Sequence, residues 1–216
     1  MFDLDGTLIA TAAELAGALD DTLIGLNLPV PDQPRVERWI GHGTRELVVQ
    51  ALAWAGKTST DAVRTSSVLI AALGDFDLHY RNRCGTSSRP YPQVHEVLQE
   101  LHRHAIKLAV VTNKDARYTR LLLNAHQLTG LFDLVVSGDT LPTRKPDPGG
   151  IFHCLAQFAV TPDRALFVGD SSVDVATARN AGVCIWAMSY GYNMGQPISD
   201  SKPDRMLQAF GELTTH

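Results

Sequence analysis

The chain has 216 residues, 44% of them apolar and 19% charged, with a formal net charge of −4. That composition belongs to a globular chain of one large domain, or one domain carrying an insertion, and excludes an intrinsically disordered polymer. The mild acidity argues against nucleic acid or an anionic membrane as partner, and no apolar run approaches the ~20 residues of a membrane helix.

The elements follow in chain order. Residues 12 to about 86 read as helices only. Leu15, Leu19, Leu23 and Leu26 recur at helical spacing, so a helix is predicted over Thr11–Leu26. Pro29, Pro31 and Pro34 break the chain, and a short segment from Pro34 to Ile40 leads to the flexible loop Gly41-His42-Gly43. Thr44 starts a helix to about Ala55, with Leu47, Val48, Ala51 and Leu52 on one face, and Asp61 starts another to about Tyr80.

The second half alternates. Helices are predicted over about 92–104, 115–127, 150–158 and 173–181, the last stopped by Gly182. Between them lie short apolar runs at Leu108–Val111, Leu134–Val136, Leu166–Val168 and Cys184–Met188. Continuous apolar runs alternating with amphipathic helices imply an α/β fold, with a parallel sheet covered on both faces. Cys84, Cys154 and Cys184 have no Cys-x-x-Cys spacing, so neither a zinc site nor a disulfide framework is expected. Cys154 and Cys184 read as small buried hydrophobes, and a reducing compartment, the cytoplasm, fits them.

In such sheets ligands bind beyond the carboxyl ends of the strands. Asp3-Leu4-Asp5-Gly6-Thr7 follows the first apolar residues, Thr112-Asn113 follows the second run, and Gly169-Asp170-Ser171 with Asp174 follows the fourth. Lys145-Pro146-Asp147-Pro148 precedes that fourth run. Crowded carboxylates repel one another and need a cation, and hard oxygen donors suit Mg2+. One aspartate can attack phosphorus while the other serves as acid and then base. Thr112 and Lys145 can hold the phosphoryl oxygens.

Phe-Asp-Leu-Asp-Gly-Thr-Leu at 2–8, Val-Val-Thr-Asn at 110–113, Lys-Pro-Asp-Pro at 145–148 and Gly-Asp-Ser-Ser-Val-Asp at 169–174 resemble, in order, the four motifs of the haloacid dehalogenase-like hydrolase superfamily. The resemblance implies a Rossmann-like core of residues 1–11 and 87–216 with an inserted helical cap, residues 12–86. It implies Asp3 as nucleophile and Asp5 as general acid/base. Asp3, Asp5 (through its carbonyl), Asp170 and Asp174 would form the Mg2+ site. Thr112 and Asn113 would hold the phosphoryl group, and Lys145 would orient Asp3. An acid/base at Asp5 favours phosphate ester chemistry over dehalogenation.

Trp39–Val48 and Ser189–Asn193 are similar to segments of the phosphoglycolate phosphatases within that superfamily. The expected substrate is therefore a small phosphorylated metabolite, first 2-phosphoglycolate, with pyrophosphate or a sugar phosphate as the alternative. A catalytically weak relative that binds phosphometabolites is a further class. The Gly41 and Gly43 amides, His42 and Arg45 would meet the substrate's carboxylate. Lys114 reads as a surface charge or a support behind the site. Only Met1 and Phe2 precede Asp3 where a strand of ~5 residues is typical, so the expectation is a start that lies upstream, or a truncated chain.

Overall fold

A computed structural model describes residues 1–214. The alternating half folds as expected of an α/β chain. Strands β3 (Ala109–Val111) and β4 (Leu134–Val136) pair in parallel, as do β5 (Leu166–Gly169), β6 (Cys184–Met188) and β7 (Arg205–Leu207). Phe2 joins the two groups by parallel bridges to Val110 and Val168. The spatial order is thus β4, β3, the chain start, β5, β6, β7. Four backbone bonds of 2.8–3.0 Å stitch Met1–Asp3 between β3 and β5: Phe2 to Ala109, Val111 to Phe2, Asp3 to Val168 and Val168 to Met1. These bonds seat Asp3 at the centre of the sheet.

Helices α6 (Val94–Arg103), α7 (Ala116–Ala125), α8 (Gly149–Phe158) and α9 (Ser172–Ala181) cover the faces. One face packs Leu98, Leu122 and Phe210 against Val110 and Val168, and the other packs Ile151, Leu155 and Ala178 against Ala109, Val111 and Phe167. β7 escapes the sequence reading because only Met206 and Leu207 are apolar; it is an edge strand whose Arg205 lies over the Trp186 ring. Cys154 is buried as expected, but Cys184 is exposed. Side chains alternate along β6, and Ile185, not Cys184, faces the core.

The helical half runs α1 (Ala12–Gly25), α2 (Gln33–Glu37), α3 (Thr44–Ala55), α4 (Thr60–Arg64) and α5 (Ser67–Arg83). The single helix expected from Asp61 to Tyr80 is two. Thr65 turns its hydroxyl back onto the Asp61 and Ala62 carbonyls, and Ser66 accepts the Val68 amide and caps a new start. These helices bury Leu19, Leu23, Val48, Ala51 and Phe76 in a cluster of their own, joined from the other half by Tyr118 and Tyr192.

Two chain crossings connect the halves. They pair as a short antiparallel ladder, β1 (Ile9–Ala10) with β2 (Arg89–Pro90). Glu14, fully buried in α1, ties down the return crossing by accepting the amides of Gly85, Ser87 and Ser88. A buried carboxylate is tolerable there because three donors replace its water.

Candidate active site

The strand ends converge as the alternation requires. Asp3 follows the central bridge, Thr112 follows β3, and Asp170 follows β5. Asp174 lies in the first turn of α9 and Lys145 on the loop before α8. All five are buried. Lys145 Nζ sits 2.8 Å from Asp3 Oδ1 and 2.6 Å from Asp174 Oδ1. The second oxygen of Asp174 accepts the Asp170 and Ser171 amides and the Ser171 hydroxyl, and Ser171 caps α9 in return. Both Asp174 oxygens thus serve to place Lys145 and the Asp170 loop.

Asp170 accepts the Thr7 hydroxyl on Oδ1 and the Tyr192 amide on Oδ2. Gly6 is needed beside it. A Cβ there would stand 2.2 Å from Asp170 Oδ2, and its φ of +87° is left-handed. Ligand oxygens of Asp3, Asp170 and Asp174 lie within 4.8 Å of one another. Burial pushes the Asp3 carboxyl up to about 7, with Lys145 opposing and Asp174 adding to the rise. Burial, then Asp174 and Asp3, push Asp170 well above the carboxylate range. Burial works against the charge on Lys145, yet Asp174 and Asp3 outweigh it and hold the lysine above its usual value. Three carboxylates therefore face one ammonium, a balance a hard divalent cation would correct. The donor set fits Mg2+.

A cleft of about 30 Å³ opens beside Asp3 and Asp5, lined also by Leu15, Ile40, Gly41, Gly43, Thr44, Leu47, Thr112, Asn113 and Lys114. It lies between the sheet edge and α1 and α3. Asp5 accepts the Thr11 hydroxyl at 2.7 Å. Asn113 bridges the two sides: its amide nitrogen donates to the Gly41 and Lys145 carbonyls, and its oxygen accepts the Lys145 amide. Gly41 and Gly43 reach the cleft, whereas His42 and Arg45 are exposed and are not among its lining residues.

Lys114 is not on the surface. Its side chain is 2% exposed, and Nζ lies 3.0 and 2.9 Å from the two Asp5 oxygens. The sequence carried no signal for this, since only the fold of the 112–115 turn aims the side chain inward. Thr7 and Tyr192 lie within the segments 3–7 and 189–193, and their hold on Asp170 comes from the fold. Tyr192 accepts the Thr11 and Ala12 amides on its hydroxyl while its own amide holds Asp170, so it links the acidic cluster to the start of α1.

The comparisons with known proteins agree with this geometry. The model of the haloacid dehalogenase-like hydrolases matches residues 1–188. The chain belongs to that family. Among haloacid dehalogenase-like relatives, the phosphoglycolate phosphatase of Haemophilus influenzae (strain 86-028NP) is 37% identical, over 99% of this chain and 95% of its own. That of Aliivibrio fischeri is 38% identical, over 98% and 92%. The crystal structure of a predicted phosphoglycolate phosphatase from Haemophilus somnus superposes with a TM-score of 0.92 at 34% identity, covering 98% of this chain and 94% of that one. Among the described residues, no helix is long and apolar enough to cross a membrane.

Proposed function

We propose that the chain is a Mg2+-dependent phosphatase that hydrolyses 2-phosphoglycolate to glycolate and phosphate through an aspartyl phosphate on Asp3. The observation that carries this reading is that Asp3, Asp5 and Thr112 line one small cleft, with Lys145 paired to Asp3 beside it. The substrate comes from the names of relatives at 37–38% identity over nearly the whole chain. Residues 12–86 act as a helical cap on a core of 1–11 and 87–216; their separate apolar cluster and the paired crossings support that division.

In the first step Asp3 attacks phosphorus as the ester oxygen leaves, and Asp5 gives that oxygen its proton. In the second, Asp5 takes a proton from water, which attacks phosphorus and breaks the bond to Asp3. Lys145 holds Asp3 in line and, with Thr112, faces the charge that grows on the phosphoryl oxygens. Asp3 and Asp170, with the Asp5 carbonyl, would hold the cation, and Asp174 sets the position of Lys145. Bound there, Mg2+ screens the phosphoryl charge from the carboxylates and polarises the group for attack. A reducing compartment, the cytoplasm, suits three free cysteines.

The test is a panel of phosphate esters assayed with Mg2+, in wild type and Asp3→Asn. Phosphoglycolate should rank among the best by kcat/KM. Asp3→Asn and chelation by EDTA should each abolish phosphate release. Turnover surviving either change would refute the mechanism, and a low rank for phosphoglycolate would refute the substrate.

A further inference from the structure

A phosphomonoester whose tail is itself an anion needs a cation or amide donors in the leaving-group half of the cleft, and a cation makes the stronger bond. Lys145 is turned to Asp3 and Asp174, on the phosphoryl side. His42 and Arg45 are exposed. Among the described residues lining the cleft, Lys114 is the one cationic side chain. Nothing in the hydrolytic steps requires it.

Its position is built rather than incidental. The stem is buried, the ammonium lies 4.8 Å from the Tyr80 ring centroid, and it spans both Asp5 oxygens. Asp5 takes two of the ammonium's three N–H donors and the Tyr80 face holds the stem in place, which leaves one charged donor to offer a ligand. Distance then sets what it can recognise. The leaving oxygen must come within about 3 Å of Asp5 to take its proton. Lys114 Nζ already stands one hydrogen-bond length from Asp5, so an anionic group on the carbon next to that oxygen falls within reach of it. Leu15, Ile40 and Leu47 line the same cleft and offer no partner to a further polar group on a longer tail.

We propose that Lys114 is the specificity-determining residue of this site, recognising a carboxylate one carbon from the ester oxygen. This rests on the phosphatase reading above and names the residue that selects its substrate class.

The experiment compares phosphoglycolate with methyl phosphate, which lacks the carboxylate, in wild type and Lys114→Met. A charged hydrogen bond lost from a desolvated site corresponds to about ten- to a hundredfold. The ratio of kcat/KM values, phosphoglycolate over methyl phosphate, should fall by that factor in the variant, chiefly through KM. Lys114→Arg should restore part of it. Equal losses on both esters would overturn the proposal and leave Lys114 as a positioning residue for Asp5. A reading on wild type alone covers a variant that does not fold. There, 3-phosphonopropionate should inhibit at least tenfold more tightly than propylphosphonate, an analogue of the same length without the carboxylate, and equal inhibition overturns the proposal. Wild type that hydrolyses no phosphate ester would sink the phosphatase reading itself. Wild type that hydrolyses both esters equally well would sink only the role of Lys114.

Discussion

Gly138, one residue past Ser137 at the end of β4, sets where the Thr112–Lys114 turn lies. Its amide donates to the Lys114 carbonyl at 2.8 Å. A Cβ at this position would stand 2.2 Å from the Asn113 carbonyl oxygen and 2.7 Å from its carbon. Ordinary contact is above 3.4 Å, so Gly138→Ala must push one backbone segment away from the other by about 1 Å. No flexible side chain can give way.

Overpacking of this kind costs about 1–3 kcal/mol. Losing the Gly138–Lys114 bond adds about 1 kcal/mol. The stiffer unfolded chain returns about 0.4–1 kcal/mol. The net is a loss of about 1–3.6 kcal/mol, which for a chain of this length lowers Tm by roughly 2–14 °C. Activity should suffer further, because the displaced turn carries Thr112, Asn113 and Lys114, and a 1 Å misplacement costs roughly a hundredfold in rate.

Urea denaturation and phosphate release on purified Gly138→Ala measure both effects. Gly74→Ala in α5 is the control, since a Cβ there meets nothing within 4 Å and the change should stabilise by about 0.5–1 kcal/mol. A Gly138→Ala variant within 1 kcal/mol of wild type, with turnover within threefold, would refute the argument that this close approach holds the turn.

Two further predictions concern the crossings. Tyr192→Phe removes the acceptor of the Thr11 and Ala12 amides and should lower stability by about 1–3 kcal/mol in urea denaturation; an unchanged midpoint would show that other acceptors replace it. His126 contacts the Ser88 hydroxyl at 2.8 Å on the return crossing, and burial, with Arg89 and His95, lowers its pKa against a weaker pull upward from Glu14. The unfolded imidazole titrates near about 6.5 and there binds more protons than the folded one, so this group's contribution to stability is complete above that pH and declines as pH falls below it. The urea midpoint of His126→Gln should therefore fall less between pH 7 and 5 than that of wild type; parallel profiles would exclude the residue.

Much of the fold was legible because its signals are local. Leu15, Leu19 and Leu23 mark α1, Gly182 stops α9, and the apolar runs before Thr112 and Gly169 are β3 and β5. What the sequence hid depended on distant partners. β1 and β2 are two residues each and exist through their pairing across the crossings. The break between α4 and α5 hangs on the hydroxyls of Thr65 and Ser66, whose bonds compete with a continuous helical pattern. The buried Glu14 would pass for a surface charge on any helical wheel, because its three amide donors come from residues 85–88.

The sequence by itself determined the chemistry. Asp3, Asp5, Thr112 and Asp170 follow strands, with Lys145 and Asp174 on the segments beside them, in an order that alternating strands and helices bring to one edge of a parallel sheet. The tertiary structure alone decided which charges face which. It turned Arg45 and His42 to solvent, committed both oxygens of Asp174 to Lys145 and the Asp170 loop, and buried Lys114 against Asp5 and Tyr80. A side chain's type and its place on a strand or helix are written in the local pattern. Its direction and its loss of water are set by segments more than a hundred residues away.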